Sequence, residues 1–370
     1  MTASADNQSA AGPVRLLIVL PGWVGDTVLA TPTLAAIRRR WPRAHVTLLG
    51  KKHLLELLSD GGFADDGLEW NAGSSGAGRA DFLRLAGRIR RRGCDTAVLL
   101  PNSFRSALLC RLAGIPRRIG YSRDGRGFLL TDRLRPIRQN GKFVPLSMVD
   151  YYNQIARRLD CQQIDRRLRL GTSEREEEAV DDLLAGLGLT GARPLVVIHT
   201  GASFGSAKCW LPERFAELAD RLIAGEGAAV MLSCGPGEVD AVPRIGGLMR
   251  QHAHMLTDPP LTIGQLKALI RRCDLLVTND TGPRHFAVAF DRPVVTIFGS
   301  TDPRWTECDH PLEIKCSVPV DCGPCMLRVC PLDHRCMTGV TVDQVFGAAR
   351  KLLAGQAAGT SGSLPLAQKR

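Results

Sequence analysis

Short apolar runs, each closed by glycine, proline or small polar residues, punctuate this chain and alternate with stretches of helical periodicity. Arg15-Leu16-Leu17-Ile18-Val19-Leu20 reads as a buried strand and is followed by the loop Pro21–Asp26. A helix is predicted from Thr27 through Leu29, Leu34 and Ile37 to the basic exit Arg38-Arg39-Arg40, with Pro42 as its stop. Cations in a last turn complement the helix dipole, which gives that arginine run a structural explanation. His45–Gly50 is the next strand. A strand, a loop, a helix and a second strand in so short a span begin a doubly wound α/β domain with a parallel sheet.

Residues 59–80 carry glycine, aspartate and serine without periodicity and read as irregular. A basic amphipathic helix is expected at Asp81–Arg92, a strand at Thr96–Leu100 and an apolar helix at Ala107–Ala113. Arg117–Tyr121 reads as a further strand leading into the basic, glycine-bearing loop Ser122–Gly127. The polar stretch 131–150 has extended character, and Tyr151–Leu159 is helical. Ser173 is placed to cap another helix. A domain boundary falls between about 165 and 192, ending at Gly188-Leu189-Thr190-Gly191.

The second half repeats this organisation without a sequence repeat. It has a core strand at Pro194–His199, a Gly/Ser loop at 201–207, and Lys208-Cys209-Trp210. Then come the helix Pro212–Gly225, the strand Ala229–Leu232, the loop Ser233–Glu238 and a helix near 262–271. Leu275-Leu276-Val277 and Val294–Phe298 bracket Asn279-Asp280-Thr281-Gly282, a turn that opens onto a helix. A last helix is expected at about 341–354. The expected domains are therefore a disordered 1–13, a first domain 14–180, a second domain 192–354 and a mobile tail 355–370.

Composition adds limits. A chain of 370 residues with 44% hydrophobic and 23% charged residues describes a soluble globular protein with a core for each of two domains. No apolar run approaches the roughly 20 residues that span a bilayer. The polar start, MTASADNQSAAGP, lacks the pattern of a secretory signal, so cytoplasmic residence is expected. The net charge of +11 admits a nucleic-acid, membrane or phosphorylated partner. Aromatic residues at 5% and the lack of a reader motif argue against nucleic acid.

Four loops carry candidate chemistry. Asp26, at a sheet's carboxyl edge, is either a helix-start carboxylate or a general base. Lys208 follows a glycine loop where an ammonium can meet a phosphate, although the loop is not a Walker A sequence. Glu238 lies past a strand end, where an acid can hold ribose hydroxyls or favour a helix start. Asp280-Thr281-Gly282-Pro283-Arg284-His285 offers backbone donors at a helix N-terminus. Arg284 there opposes the dipole, so it requires solvent or an anion, and an anion is the expectation. Cys322, Cys325, Cys330 and Cys336 have the spacing C-x2-C-x4-C-x5-C, tight and atypical for a structural zinc site. With Cys316 they are read as thiols or a redox-labile structural knot, and no metal is assigned.

Together LIVLPGWVGDTVLATPTLAAIRRRWP, LLPNSFRSALLCRLAGIPRRIGY, HTGASFGSAKCWLPERFAEL and LVTNDTGPRHFAVAFDRPVVTIFG resemble glycosyltransferase family 9, the ADP-heptose:lipopolysaccharide heptosyltransferases, over about residues 14–350. NSFRSAL and GASFGSAKCW are most similar to the members that add the second inner-core heptose. The resemblance implies a GT-B architecture, two Rossmann-like domains facing across a cleft, and inverting transfer from ADP-heptose with no cofactor and no essential metal. By that analogy Asp26 is the general base. Lys208 and the amides of Thr281 and Gly282 hold the diphosphate, Glu238 the ribose, and Asp280 and His285 complete the donor loop. Arg105, Arg117, Arg118, Arg123 and Arg126 are candidate clamps for an anionic lipid A–Kdo–heptose acceptor. A lipid-borne acceptor also implies transient contact with the inner membrane. The rival readings are a heptosyltransferase I-like enzyme, another GT-B enzyme with a different nucleotide sugar, and a basic nucleotide- or nucleic-acid-binding module. The first two separate by donor and acceptor assay, the third by steeply salt-dependent nucleic-acid binding.

Overall fold

The computed structural model describes residues 13–70, 78–139 and 141–359. Two six-stranded parallel sheets organise it. The first contains β1 (Arg15–Val19), β2 (His45–Gly50), β3 (Asp66–Glu69), β4 (Thr96–Leu99), β5 (Arg117–Tyr121) and β6 (Asp132–Leu134), in the order β3-β2-β1-β4-β5-β6. A small antiparallel pair, β7 (Arg138–Gln139) and β8 (Lys142–Phe143), follows it. The second sheet contains β9 (Leu195–His199), β10 (Ala229–Ser233), β11 (His254–Met255), β12 (Leu275–Asn279), β13 (Val294–Ile297) and β14 (Glu313–Cys316), in the order β11-β10-β9-β12-β13-β14. The two orders are the same doubly wound pattern, so the α/β class read from the sequence holds in both halves. In each, the strand order reverses between the first and fourth strands, which opens a crevice at their carboxyl ends.

Central strands are covered on both faces, which is why they are continuous apolar runs rather than alternating ones. Leu16–Val19 and all of β9, β12 and β13 are buried. The edge strands differ. Among apolar residues β3 fully buries Leu68 alone and β14 Cys316 alone, so no apolar run announced them. β3 corrects the irregular reading of 59–80. The helices Lys52–Leu58 and Ala241–Gly246 were likewise unmarked by periodicity.

The helix expected from Thr27 is two helices, Val24–Leu29 and Thr31–Arg40. Pro32 has no N–H for the Val28 carbonyl, and the Thr31 hydroxyl donates to that carbonyl instead, at 2.7 Å. Ser173 caps as expected. Ser173 and Glu176 form a reciprocal capping box for the helix Glu174–Gly186, and Thr262 and Gln265, which the sequence reading did not single out, do the same for Ile263–Arg272. The last helix, Val342–Gly359, runs past the expected end, so residues 355–359 are helix rather than tail. Residues 1–12 and 360–370, where disorder and mobility were expected, lie outside the described residues.

The chain divides into two compact units after Gly171, and the segment Arg304–Cys308 belongs with the first. The helix Glu174–Gly186 therefore belongs to the second unit, although 14–180 was expected to be the first domain. The cause is a set of ion pairs to Ile263–Arg272. Arg271 reaches Glu177 at 2.6 Å, Arg272 reaches it at 2.8 Å, and the buried Lys267 ammonium reaches Glu176 at 3.0 Å.

Candidate active site

In the second unit, β9 and β12 end side by side at the crevice, and their loops bring Lys208 and Asp280 together. The Lys208 ammonium lies 2.7 Å from Asp280 Oδ2 and 2.9 Å from the Asp280 carbonyl oxygen. The Thr301 hydroxyl donates to Asp280 Oδ2 at 2.7 Å, and Arg284 Nη1 stands 3.4 Å from Oδ1. Burial alone would raise the carboxyl's pKa, but Lys208 and Arg284 outweigh it and hold it at about 2. Asp280 is thus an anion inside the protein. Beside it the helix Gly282–Ala289 begins, with Pro283 in its first turn and no side-chain cap. Among the described residues the Thr281 and Gly282 amides donate to no protein acceptor. Two free amides at a helix start, next to an ammonium, are chemically suited to an anion.

Asn279 fixes this loop. Its side chain accepts from the Trp210 amide at 3.1 Å and donates to the Thr200 carbonyl at 2.8 Å, tying the ends of β9 and β12 to the Lys208 loop. Glu238 does the same for β10. Its carboxylate accepts from the Ala202 amide at 2.7 Å and the Gly235 amide at 3.3 Å, and it occupies the space a side chain at Gly201 would need. His285 is buried behind the loop. Burial first, and then the neighbouring Arg284, push its imidazole down to about 3, so it is neutral. Arg284 is also buried, and the anion it was expected to need is Glu313, 2.6 Å away, not a ligand.

The cysteine segment lies over the Lys208 loop. The Ala207 amide donates to the Arg328 carbonyl at 3.0 Å, His334 Nε2 donates to the Ala207 carbonyl at 3.1 Å, and the Met326 amide donates to the Ser300 carbonyl at 2.8 Å. Cys322, Cys325, Cys330 and Cys336 are free thiols, and among the described residues no three His, Cys, Asp or Glu side chains are grouped to hold a metal ion.

In the first unit Asp26 sits in the first turn of Val24–Leu29, just after β1. It lies near Tyr152, whose hydroxyl is pushed well above its ordinary pKa by burial first and by the Asp26 charge second. The helix Met148–Arg158 carries Tyr152 and is pinned to Thr31–Arg40 by the Thr33–Asn153 bond of 2.8 Å. Tyr151 stacks on Tyr121 with centroids 3.8 Å apart and donates to Asn102 at 3.0 Å. Arg123 lies over the Phe143 ring, 4.0 Å from its centroid. Tyr121, Arg123, Arg135, Phe143, Tyr151 and Trp305 wall a cavity of about 330 Å³ at the ends of β5 and β6.

The other predicted clamps fare differently. Arg117 and Arg118 open β5 and so lie at the amino-terminal edge of the sheet, opposite Asp26. Arg117 pairs with Asp132, and the Arg118 guanidinium is buried against the carbonyls of Ile115, Pro116 and Leu129. Arg126 is fully buried and donates to the carbonyls of Pro101, Ser103 and Tyr121. Arg105 remains in the first turn of Phe104–Leu112, above the Phe82 ring at 5.2 Å. A larger cavity, about 600 Å³, opens at the start of β9 between Arg193, Arg271, Arg272 and Glu177, and none of the predicted residues lines it. Phe143, Tyr151 and Trp305 in the first unit, and Thr301 and Glu313 in the second, escaped the sequence reading. Only their place in the fold marks them.

Comparison with known proteins agrees with this fold. The family model of glycosyltransferase family 9 (heptosyltransferase) matches residues 82–335. Lipopolysaccharide heptosyltransferase 2 of Salmonella typhimurium is 30% identical over 303 residues, covering 79% of this chain and 85% of that protein. The solved structure of E. coli ADP-heptose lps heptosyltransferase II superposes with a TM-score of 0.77 at 26% identity, over 93% of this chain and 99% of that one. A glycosyltransferase family 9 structure from Veillonella parvula shares the fold, with a TM-score of 0.79 at 21% identity over 92% of this chain and 97% of that one.

Proposed function

The chain belongs to glycosyltransferase family 9, and we propose that it transfers heptose from ADP-L-glycero-β-D-manno-heptose to the inner core of lipopolysaccharide, as the second heptose, with inversion. The observation that carries this reading is the anion site at the end of β12, where Lys208 and the bare Thr281 and Gly282 amides converge. A diphosphate suits it. Attack at the anomeric carbon passes through an oxocarbenium-like state while ADP gains negative charge as its bond breaks. An ammonium and a helix start placed at that charge stabilise it without reorganising. Glu238, at the end of β10, is in place for the ribose once its loop amides release it, and Asp280 and His285 shape the same loop. In the first unit Asp26 takes the proton of the acceptor hydroxyl, and Arg123 and Arg105 meet the acceptor's anionic groups.

Among the described residues no helix is long and apolar enough to cross a membrane. For an acceptor anchored in lipid, we propose that the enzyme works at the cytoplasmic face of the inner membrane by transient contact. The test is turnover of ADP-heptose with heptose-Kdo2-lipid A, set against a panel of UDP-sugars. Asp26→Ala is expected to abolish transfer and leave ADP binding intact. Retained turnover would remove Asp26 from the mechanism, and consumption of a UDP-sugar instead would overturn the donor.

A further inference from the structure

Arg284 is fully buried in the first turn of Gly282–Ala289, where a cation opposes the helix dipole. Its guanidinium makes a bidentate pair with Glu313, Nε to Oε1 at 2.6 Å and Nη2 to Oε2 at 3.0 Å. Glu313 lies on β14 and is itself buried. The Thr296 hydroxyl donates to Glu313 Oε1 at 2.6 Å, and the Lys315 ammonium is 3.8 Å from Oε2. On its other side Arg284 faces Asp280, and Asp280 faces Lys208. Charges therefore alternate through the interior from the sheet edge to the anion site: Lys315, Glu313, Arg284, Asp280, Lys208.

The order of charges has a consequence for ligand binding. A diphosphate at the Thr281 and Gly282 amides attracts the Lys208 ammonium, which in this structure is spent on Asp280. Once Lys208 turns to the ligand, Asp280 would, without Arg284, keep the Thr301 hydroxyl but no cation beside a second anion, and repulsion in a poorly solvated place is strong. We infer that Arg284 is a positioning residue for nucleoside diphosphate binding: it balances Asp280 from behind and so releases Lys208 to the ligand. Glu313 sets the plane of the guanidinium through its two bonds, which makes a residue on an edge strand part of nucleotide affinity. The inference rests on the reading of Lys208, Thr281 and Gly282 as a diphosphate site.

Calorimetric titration of ADP into the full-length protein tests it. Thermal unfolding is followed in parallel to confirm that each variant is folded. Arg284→Met is expected to weaken ADP at least about tenfold, equivalent to about 1.4 kcal/mol. Adding Asp280→Asn to that variant is expected to restore most of the affinity, because the unbalanced carboxylate is gone. Arg284→Lys keeps the charge and is expected to recover part of it. In turnover, donor KM is expected to rise more than kcat falls. A purely structural role predicts that the double variant binds no better than Arg284→Met, and that result overturns the inference. Where Arg284→Met does not fold, Arg284→Gln removes the charge and keeps hydrogen bonds; unchanged ADP affinity in it also overturns the inference. Failure of the wild-type protein to bind ADP would instead remove the diphosphate reading itself.

Discussion

The Lys208 ammonium contacts Asp280 twice, at the carboxylate (2.7 Å) and at the backbone carbonyl (2.9 Å), in a pair that is almost wholly shielded from water. A buried pair of this kind is held by more than Coulomb attraction: Thr301 and Arg284 also meet the carboxylate, and the ammonium lies 5.1 Å from the Phe204 ring centroid. The Asp280 carboxyl is held at about 2, below its ordinary value of 3.8. A depressed folded-state pKa means that the stabilisation is fully present above the unfolded value and is lost as pH falls through about 2. Its size is on the order of 2 kcal/mol. Asp280→Asn is therefore expected to be less stable near neutral pH and to lose less stability than wild type between about pH 4 and pH 2. Denaturant unfolding across that range checks it, and equal acid slopes for the two proteins would contradict it.

How far the sequence went depended on burial. β1, β9, β12 and β13 are covered on both faces and stand out as apolar runs, and the loops after them contain Lys208, Asp280, Thr281 and Gly282 in plain view. β3 and β14 fully bury one apolar residue each, so they carry no apolar pattern, and Glu313 on β14 was invisible for that reason. Arg284 was recognised as needing an anion, but its partner is 29 positions away in a stretch with no signal. Arg117 and Arg118 lie at the other edge of the sheet from Asp26, which the sequence did not show, because a run of residues does not announce which end of a strand lies beside that aspartate. Only the direction of β5 in its parallel sheet decides that.

Two histidines make a separate pH signature. Burial lowers His199 to about 4, and burial with the neighbouring Arg284 lowers His285 to about 3. In the unfolded chain both titrate near 6.5, so between that value and about 4 the unfolded state binds more protons than the folded one. Stability then falls as pH drops, by about 1.4 kcal/mol per pH unit for each histidine at full slope. Near pH 5, well above where carboxylates such as Asp280 begin to matter, the histidines dominate the loss. His285→Gln is expected to flatten the dependence between about pH 6 and pH 4.5, measured as the midpoint of denaturant unfolding. A slope identical to wild type would show that His285 is protonated in the fold.

Arg123 offers the sharpest test of the first unit. Its guanidinium lies 4.0 Å from the Phe143 centroid and lines the same cavity as Tyr151, which is itself stacked on Tyr121 and held by Asn102. These contacts leave the arginine oriented at the wall of the cavity beyond β5 and β6. A cation fixed by aromatic rings loses little freedom on meeting a carboxylate or phosphate, and a charge-assisted hydrogen bond contributes about 1.5–3 kcal/mol. Arg123→Ala is therefore expected to raise acceptor KM by about tenfold or more with ADP affinity unchanged, because the residues proposed to hold the nucleotide belong to the second unit. Arg123→Lys keeps the charge but not the planar fork and should recover only part of the loss. Arg118→Ala is the contrast: it unties three backbone carbonyls, so thermal stability should fall while acceptor KM of the folded fraction stays near wild type. Steady-state kinetics with the lipid-borne acceptor distinguishes the two arginines. A rise in acceptor KM for Arg118→Ala alone, with none for Arg123→Ala, would move the acceptor to the opposite edge of the sheet.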